Sequence, residues 1–255
     1  MSKNRQVRVH LVCDTVRPES LADAVVVVID VLRATTTILH ALAAGCVAVR
    51  PITEVDEARQ IAGAMRAGHV LLAGERDGRP LPGFDLGNSP KSFTATRCKG
   101  QTLVLTTTNG TRALVRCQHA ARVLVGAFVN FSAVCEQLRI DARPIHIVCA
   151  GNDGAVALED TLLAGAIVDF LCEHAAVELD DGARVAWDCF ENQGRVLDGA
   201  LQICAGGVRL TALGYDDDIR AAARVDVFAL APEVRSDPLR IEPGTVGITK
   251  QYWVT

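Results

Sequence analysis

Uninterrupted apolar runs of strand length alternate with segments of helical spacing along most of this chain. This alternation restricts the fold more than any other feature of the sequence. The runs are rich in Val, Ile and Leu, as is typical of strands that are buried on both faces. The predicted strands are 25–29, 46–51, 69–76, 101–110, 122–128 and 144–151. The pattern predicts an α/β protein in which helices cover both faces of a mostly parallel sheet.

Apolar residues three or four positions apart predict the intervening helices. These helices are 34–44, 54–67, 111–118, 131–139 and 157–174. We expect Thr53 and Asn130 to cap two of them, and Gly45 to end the first. In the last third, 182–192 and 194–207 look helical, and 214–232 holds one helix and one strand. No Ser/Gly linker divides the chain, so residues 1–255 are predicted to form a single unit.

Composition excludes several classes of protein. The net charge of −4 offers no basic surface for nucleic acid. The N-terminus has no signal-peptide pattern, and no apolar run approaches the roughly 18 residues of a membrane span. Nine cysteines are scattered, odd in number and without C-x-x-C spacing. We therefore expect free thiols in a soluble, cytoplasmic protein that does not bind membranes.

The run 25–29 ends on a carboxylate, Asp30, which is followed closely by Arg33 and by three threonines. Ligands bind at the carboxyl ends of the strands in sheets of this kind, so Asp30 and Arg33 are candidate catalytic residues. Thr35 and Thr36, at the start of the next helix, are candidate ligands for an anion. The structural alternative is a buried ion pair between Asp30 and Arg33.

A second threonine-rich segment, TTTNGTR at 106–112, joins a predicted strand to a predicted helix. Free N–H groups and the helix dipole favour anions at such a position. The candidate substrate-binding residues here are Thr108, Asn109, Gly110, Thr111 and Arg112. Ordinary capping of the helix is the alternative interpretation.

Carboxylates near the predicted strand ends indicate a metal site. The candidate ligands are Asp30, Glu75, Asp85 and Asp160. Hard oxygen ligands beside an anion site suit Mg²⁺, which uses few carboxylates and fills its other positions with water or substrate oxygens. The alternatives are dipole complementarity for Glu159 and Asp160 in a first helical turn, and a turn position for Asp85.

The segment 77–91 shows no periodicity and contains three prolines and three glycines. Long irregular loops in compact domains are usually functional or disordered. Its apolar residues favour an ordered loop that lies over a site. Asn88 and Ser89, together with Arg76 just before the loop, are further candidates for binding substrate.

Four segments occur in the order DVLRATTTI, GERDGRPLPGFDLGNSP, TTTNGTRAL and CAGNDGAVALEDTLLAGAI. In this order they resemble the 2-phosphosulfolactate phosphatase family, over roughly residues 10–235. The resemblance implies a three-layer α/β/α fold with two similar intertwined halves. It also implies a Mg²⁺-dependent phosphatase that converts 2-phospho-3-sulfolactate to sulfolactate and phosphate in coenzyme M biosynthesis. Asp30 would then face Mg²⁺ and the phosphoryl group, with Arg33, Arg76 and Arg112 suited to a small polyanionic substrate.

Three other readings compete with this one. A haloacid-dehalogenase phosphatase is rejected, because its motif needs a second Asp two residues after the first, where this chain has Leu32. A cysteine hydrolase of the isochorismatase type would use Cys149, with Lys91 or Lys99 as its basic partner. A non-catalytic module could bind small anions at the same helix starts. Whether water or a carboxylate attacks the phosphorus, and whether the protein is a homodimer, are left open.

Overall fold

The computed structural model describes residues 4–65, 68–246 and 252–253, and within them eleven strands form one sheet. The strands are β1 (Arg5–His10), β2 (Val25–Ile29), β3 (Ala48–Pro51), β4 (Val70–Arg76), β5 (Arg79–Pro80), β6 (Thr102–Thr106), β7 (Arg122–Gly126), β8 (Ile145–Cys149), β9 (Val177–Leu179), β10 (Leu230–Ser236) and β11 (Leu239–Val246). The helices are α1 (Ala34–Ala43), α2 (Val55–Ala64), α3 (Ala95–Cys98), α4 (Gly110–Cys117), α5 (Phe131–Ile140), α6 (Leu158–His174), α7 (Asp181–Gln193), α8 (Leu197–Ile203), α9 (Ala205–Ala212) and α10 (Asp216–Ala222).

The sheet consists of two parallel blocks joined by an antiparallel hairpin. The strand order is β5-β4-β6-β3-β11-β10-β7-β2-β8-β1-β9. Strands β4, β6 and β3 run parallel to one another, and so do β7, β2, β8, β1 and β9. The hairpin β10–β11 pairs antiparallel with both blocks. The mostly parallel α/β sheet is therefore confirmed, and the division into intertwined halves stays a prediction.

Strand β2 shows how the sheet is covered on both faces. Val25, Val27 and Ile29 pack into one apolar core together with residues of α5, α6, α7 and α8. Val26 and Val28 pack into a second core with residues of α1 and α4. Successive side chains of a strand point to opposite faces, so one run of five buried residues joins both cores. The arrangement is a three-layer one.

Several predicted boundaries were wrong. Helix α2 starts after Glu54 rather than at a cap by Thr53, and the predicted residues 66–67 lie outside the described residues. The Asn130 side chain does not cap α5. Its Oδ1 accepts from Ala127 N–H at 2.8 Å, so it closes the preceding turn instead. The predicted helix 194–207 is interrupted near Cys204, where backbone in an extended conformation separates α8 from α9.

The thiol and membrane expectations can be compared directly with the fold. Within the described ranges, no helix combines the length and apolar character needed to cross a bilayer.

All nine cysteines are free, and seven of them are buried. The seven buried cysteines act as small apolar residues of the core.

Candidate active site

A polar cleft of about 670 Å³, counting its open mouth, lies where the carboxyl ends of β2, β4, β6 and β8 meet. Its lining residues are Asp30, Leu32, Arg33, Glu75, Asp77, Gly78, Asn88, Thr107, Thr108, Asn109, Gly151, Asn152, Asp153, Glu159, Asp160, Gly206, Arg209 and Leu210. Four strands separate β6 from β2 in the sheet, yet the turns that follow them touch. The two blocks run in opposite directions, because the three pairings between β3 and β7 are all antiparallel, and the segments that follow the strands make the contact between the blocks.

Asp30 lies at the base of the contact between the two blocks. Its Oδ1 accepts from the backbone N–H of Ala34 at 3.0 Å. Its Oδ2 lies 2.6 Å from where a Cβ would stand on Gly110. Burial raises the pKa of Asp30 to about 7, with repulsion from Glu75 and Glu159 adding to the rise; the Ala34 N–H opposes it. The carboxyl group thus sits where negative charge is disfavoured unless a cation approaches.

Asp160, in the first turn of α6, holds two backbone segments together. Its Oδ1 accepts from Val31 N–H at 2.8 Å, and its Oδ2 accepts from Gly151 N–H at 3.2 Å. It therefore ties the turn after β2 to the loop after β8. Burial, followed by repulsion from Glu159 and Asp30, holds the pKa of Asp160 well above its ordinary value.

Glu75, at the end of β4, has the same bridging role on the other side of the cleft. Its Oε2 accepts from Gly78 N–H at 2.7 Å. Its Oε1 accepts from the N–H of Thr108 at 3.1 Å and faces the Thr108 hydroxyl at 3.3 Å. Glu75 therefore fixes the start of the long loop against the turn after β6.

Glu159 lines the cleft, although the predicted set of metal ligands included only its neighbour Asp160. Its carboxylate faces its own backbone N–H and the thiol of Cys204, and burial raises its pKa. A Cβ on Gly206 would stand 2.6 Å from Glu159 Oε1, so only glycine leaves the carboxylate its present place.

Arg33 is buried in the cleft wall but does not pair with Asp30 as the structural alternative supposed. Its Nη1 lies 2.6 Å from Asp218 Oδ2, and its Nη2 donates to the Gly78 carbonyl at 2.9 Å. Tyr215 stacks on the guanidinium at 4.6 Å. Asp218 was missed because it ends a run of three aspartates, which reads as an exposed helix start.

Ser89 contributes to this arrangement without lining the cleft. Its hydroxyl donates to Asp218 Oδ1 at 2.6 Å, so both oxygens of that carboxylate have a partner. The assignment of Ser89 to substrate binding is therefore not supported. The residue instead orients the partner of Arg33.

Two of the three arginines that were expected to bind substrate lie away from the cleft. Arg76 donates to the carbonyls of Glu75 and Thr53, which occupy its guanidinium. Arg112 is exposed and lies 3.5 Å from Asp14. Their side chains leave the strand end and the helix start in directions that spacing does not reveal.

The threonines mainly shape the turns. The Thr35 hydroxyl bonds to the backbone N–H and carbonyl of Asp30, and the Thr36 hydroxyl donates to the Val31 carbonyl. The Thr111 hydroxyl pairs with that of Thr107 at 3.0 Å. These three predicted ligands do not reach the cleft, because capping bonds already use their hydroxyls.

The long loop is ordered over the cleft, as predicted, and contributes Asp77, Gly78 and Asn88 to its lining. Asp85 does not reach the cleft. It is exposed, and its Oδ2 accepts from Leu72 N–H at 2.8 Å, so the structure does not bring it together with the other predicted metal ligands. This placement fits the turn position that was given as the alternative.

Two side-chain amides of the cleft have an oxygen that accepts no hydrogen bond from the residues described. Asn88 Oδ1 and Asn109 Oδ1 are both buried, and neither has a hydrogen-bond partner among the residues described. Asn109 stands at the N-terminus of α4, next to Thr108 and Gly110. Unpaired buried acceptors are rare in proteins and call for a donor or a cation.

Cys149 does not belong to the cleft. It is fully buried in the apolar core, and burial holds the pKa of its thiol well above the ordinary value. A buried protonated thiol is a poor nucleophile. Lys91, one of its proposed partners, is exposed and forms an ion pair with Asp217 at 2.7 Å. The cysteine-hydrolase reading is therefore not supported.

The described lining of the cleft is strongly acidic. It carries six carboxylates, against the two guanidiniums of Arg33 and Arg209. Arg209, on α9, was missed because its helix belongs to the last third of the chain, where no strand-end motif marks a site. Burial raises the pKa values of three of the six acids, Asp30, Glu159 and Asp160, so the cleft favours a proton or a cation over a bare anion.

Comparison with known proteins gives one consistent result. A family model described as 2-phosphosulpholactate phosphatase matches residues 10–237. A relative from Caldanaerobacter subterraneus subsp. tengcongensis is 36% identical over 227 residues, covering 89% of this chain and 94% of the relative. One from Symbiobacterium thermophilum is 40% identical over 215 residues, covering 84% and 92%. One from a Synechococcus species is 39% identical over 247 residues, covering 92% and 96%. All three relatives are named probable 2-phosphosulfolactate phosphatases.

Proposed function

Because the chain belongs to the 2-phosphosulpholactate phosphatase family, we propose that it hydrolyses 2-phospho-3-sulfolactate to sulfolactate and inorganic phosphate. The names of its relatives support the reaction, and the cleft supports a small polar substrate. We further propose that this hydrolysis depends on Mg²⁺.

The charge of the cleft carries the proposal of a metal. The substrate has a phosphate, a sulfonate and a carboxylate, whereas the described lining has six carboxylates and two guanidiniums. When they are ionised, these carboxylates repel the substrate unless a cation of high charge lies between them. The same cation would stabilise the ionised forms of Asp30 and Asp160, whose pKa values are raised.

The available donors fit Mg²⁺. Among the buried acids of the cleft, Asp30 Oδ2 and the Glu159 carboxylate are the groups least engaged by the backbone of other residues. Asn88 Oδ1 and Asn109 Oδ1 have no partner in the described chain. All are hard oxygen donors, as Mg²⁺ prefers. Across the described residues, no three carboxylate, His or Cys side chains converge to hold a metal alone. That suits an ion that keeps waters and substrate oxygens. When bound, Mg²⁺ would neutralise phosphoryl oxygens and make the phosphorus easier to attack.

The residues of the chain would supply the remaining functions. The start of α4 lines the cleft at Asn109, and the free backbone N–H groups at a helix start favour a phosphoryl oxygen. Arg33 is held rigid by Asp218 and Gly78, so its positive charge is preorganised at the cleft wall. Asp30 would hold the ion or attack the phosphorus directly, and both roles use its Oδ2.

Phosphate release tests this proposal. The purified chain is assayed with 2-phosphosulfolactate and with phosphoglycolate, first with Mg²⁺, then with EDTA, then with Mg²⁺ in excess of EDTA. We expect release with Mg²⁺, loss with EDTA and recovery. Tight binding of both esters without any release would contradict the proposal and favour the non-catalytic anion-binding module. Release that EDTA leaves intact would contradict only the metal.

A further inference from the structure

The two arginines of the cleft differ in how much of their guanidinium is free. The side chain of Arg33 is 3% exposed, and its Nη1 and Nη2 are bonded to Asp218 and Gly78. The side chain of Arg209 is 39% exposed, and its ion-pair partner, Asp77, lies 3.9 Å away and is 99% exposed. An ion pair of that length between exposed groups contributes little. Arg209 is therefore the guanidinium that can accept a ligand without breaking a buried bond.

The position of Arg209 fits a role at one side of the cleft. Gly206, Arg209 and Leu210 are spaced i, i+3 and i+4 on α9, so this face of the helix lines the cleft. A Cβ on Gly78 would lie 3.8 Å from Arg209 Nε, while the carbonyl of Gly78 accepts from Arg33. The two arginines thus stand on either side of the Asp77–Gly78 turn, and Arg209 is on the exposed side.

We propose that Arg209 binds a second anionic group of the substrate, its carboxylate or its sulfonate, and thereby selects polyanionic phosphoesters over simple ones. This inference rests on the proposed function. A guanidinium presents two parallel N–H groups that match the oxygens of either group. The phosphoryl group would bind at the other end of the cleft, at Asp30 and the start of α4. Arg209 would then contact the carboxylate or the sulfonate of the same substrate.

The competing role for Arg209 is structural. Its ion pair with Asp77 could hold the turn that carries Gly78, and loss of that pair would disturb Arg33 for every substrate. The two roles predict different results for Asp77→Asn. If the ion pair is structural, Asp77→Asn and Arg209→Gln should cause the same defect, because either change breaks the pair. If Arg209 binds substrate, Asp77→Asn leaves the guanidinium in place and free to bind.

Three phosphoesters separate these roles in the Mg²⁺-loaded enzyme: isopropyl phosphate has no second anion, 2-phospholactate adds a carboxylate, and 2-phosphosulfolactate adds a sulfonate as well. We expect Arg209→Gln to lower kcat/KM at least about tenfold for a substrate that carries the recognised anion, as loss of a charge-assisted hydrogen bond does. The change should be within about twofold for isopropyl phosphate, as for a surface substitution. Arg209→Lys should recover part of the loss.

The pattern of losses identifies the anion. A loss with 2-phospholactate assigns Arg209 to the carboxylate, and a loss confined to 2-phosphosulfolactate assigns it to the sulfonate. Arg139→Gln, an exposed arginine paired with Glu136 on α5, is the matched control and should change none of the three values. Equal losses for all three esters would overturn the inference, and so would an Asp77→Asn variant with the same defect as Arg209→Gln.

A binding measurement keeps this inference separate from the proposed reaction. Calorimetric titration with sulfolactate, which has no phosphate, should show at least about tenfold weaker binding to Arg209→Gln than to the unmodified chain. If the chain hydrolyses none of the esters, the proposed function fails, but the titration still decides the role of Arg209. Equal affinity of the two proteins for sulfolactate would overturn that role.

Discussion

The turns after β2 and β6 are both rich in threonine, and in both a threonine hydroxyl bonds back to the residues that precede the helix. The two turns nevertheless contribute different chemical groups to the cleft. In the first, the Thr35 hydroxyl bonds back to the N–H and carbonyl of Asp30. In the second, Thr111 and Thr107 bond to each other through hydroxyl and backbone groups. The threonines fix the geometry of both turns, and other residues of the turns supply the groups that line the cleft.

The two turns differ in the charge of the groups they contribute and in the size of their side chains. The first turn carries the buried carboxylate of Asp30, whereas the second carries the neutral amide of Asn109 and the bare backbone of Gly110. Gly110 packs directly on Asp30 and Ala34, so the second turn makes room for the acid of the first. A repeated strand–loop–helix pattern can therefore build one site from two unequal halves.

The largest expected effect comes from removing the charge of the first turn. Asp30→Asn preserves shape and the bond to Ala34, so we expect the melting temperature to change little. Turnover should fall by about a hundredfold or more, which corresponds to ~3 kcal/mol of barrier. Both values are measured on one purified variant. A variant that melts much lower but turns over normally while folded would make Asp30 a structural residue.

A smaller effect should follow from filling the space in the second turn. A Cβ on Gly110 would stand 2.5 Å from Ala34 Cβ and 2.6 Å from Asp30 Oδ2. We expect Gly110→Ala to lower the free energy of unfolding by about 1–3 kcal/mol, as overpacking does. We also expect it to lower turnover at least about tenfold by displacing Asp30.

Gly63→Ala is the matched control for that substitution. Gly63 lies inside α2, and an added Cβ would meet nothing within 4 Å. We expect a gain of up to about 1 kcal/mol in unfolding free energy, from helix propensity alone, and unchanged turnover. Similar results for the two variants in chemical denaturation and turnover would break the claimed contact between the turns.

The smallest expected effect lies outside both turns and gives a reference for pH scans. Burial, then repulsion from His10 and Arg8, lowers the pKa of His146 to about 4. The ring is neutral in the folded protein, so stability is lost as pH falls from the unfolded value near 6.5 towards 4. His146→Gln should reduce that loss by about 2 kcal/mol at most in denaturant titrations. The same loss in both proteins would contradict the assignment.

The sequence supported prediction best where one buried strand determines the local structure. The strand 25–29 was predicted to the residue, and Asp30 lies at its end in the cleft as expected. Glu75, Asn88 and Asp160 were likewise placed in the lining. Strand alternation predicts where each strand ends because it follows from local backbone geometry. The sheet-edge rule does not by itself bring Glu75 to Asp30, because the two parallel blocks run in opposite directions.

Prediction failed where side-chain direction or distant packing decides. Arg76 ends β4 and Arg112 lies in the first turn of α4, but both side chains turn to partners outside the cleft. Arg209 and Asp218 come from short helices in the last third, whose docking against the cleft depends on the whole fold. The hairpin β10–β11 was also missed, because charged residues with Pro243 and Gly244 obscure the alternation of its second strand.

A search for Mn²⁺ in crystals tests the central claim most directly, because Mn²⁺ accepts the same oxygen ligands as Mg²⁺ and scatters anomalously. We predict one anomalous peak in the cleft, within about 2.5 Å of oxygens of Asp30 and Glu159. Crystals of Asp30→Asn soaked in parallel should lose most of that peak. No peak beside these carboxylates, or a peak that is equally strong in the variant, would contradict the account of the cleft as a metal-dependent phosphatase site.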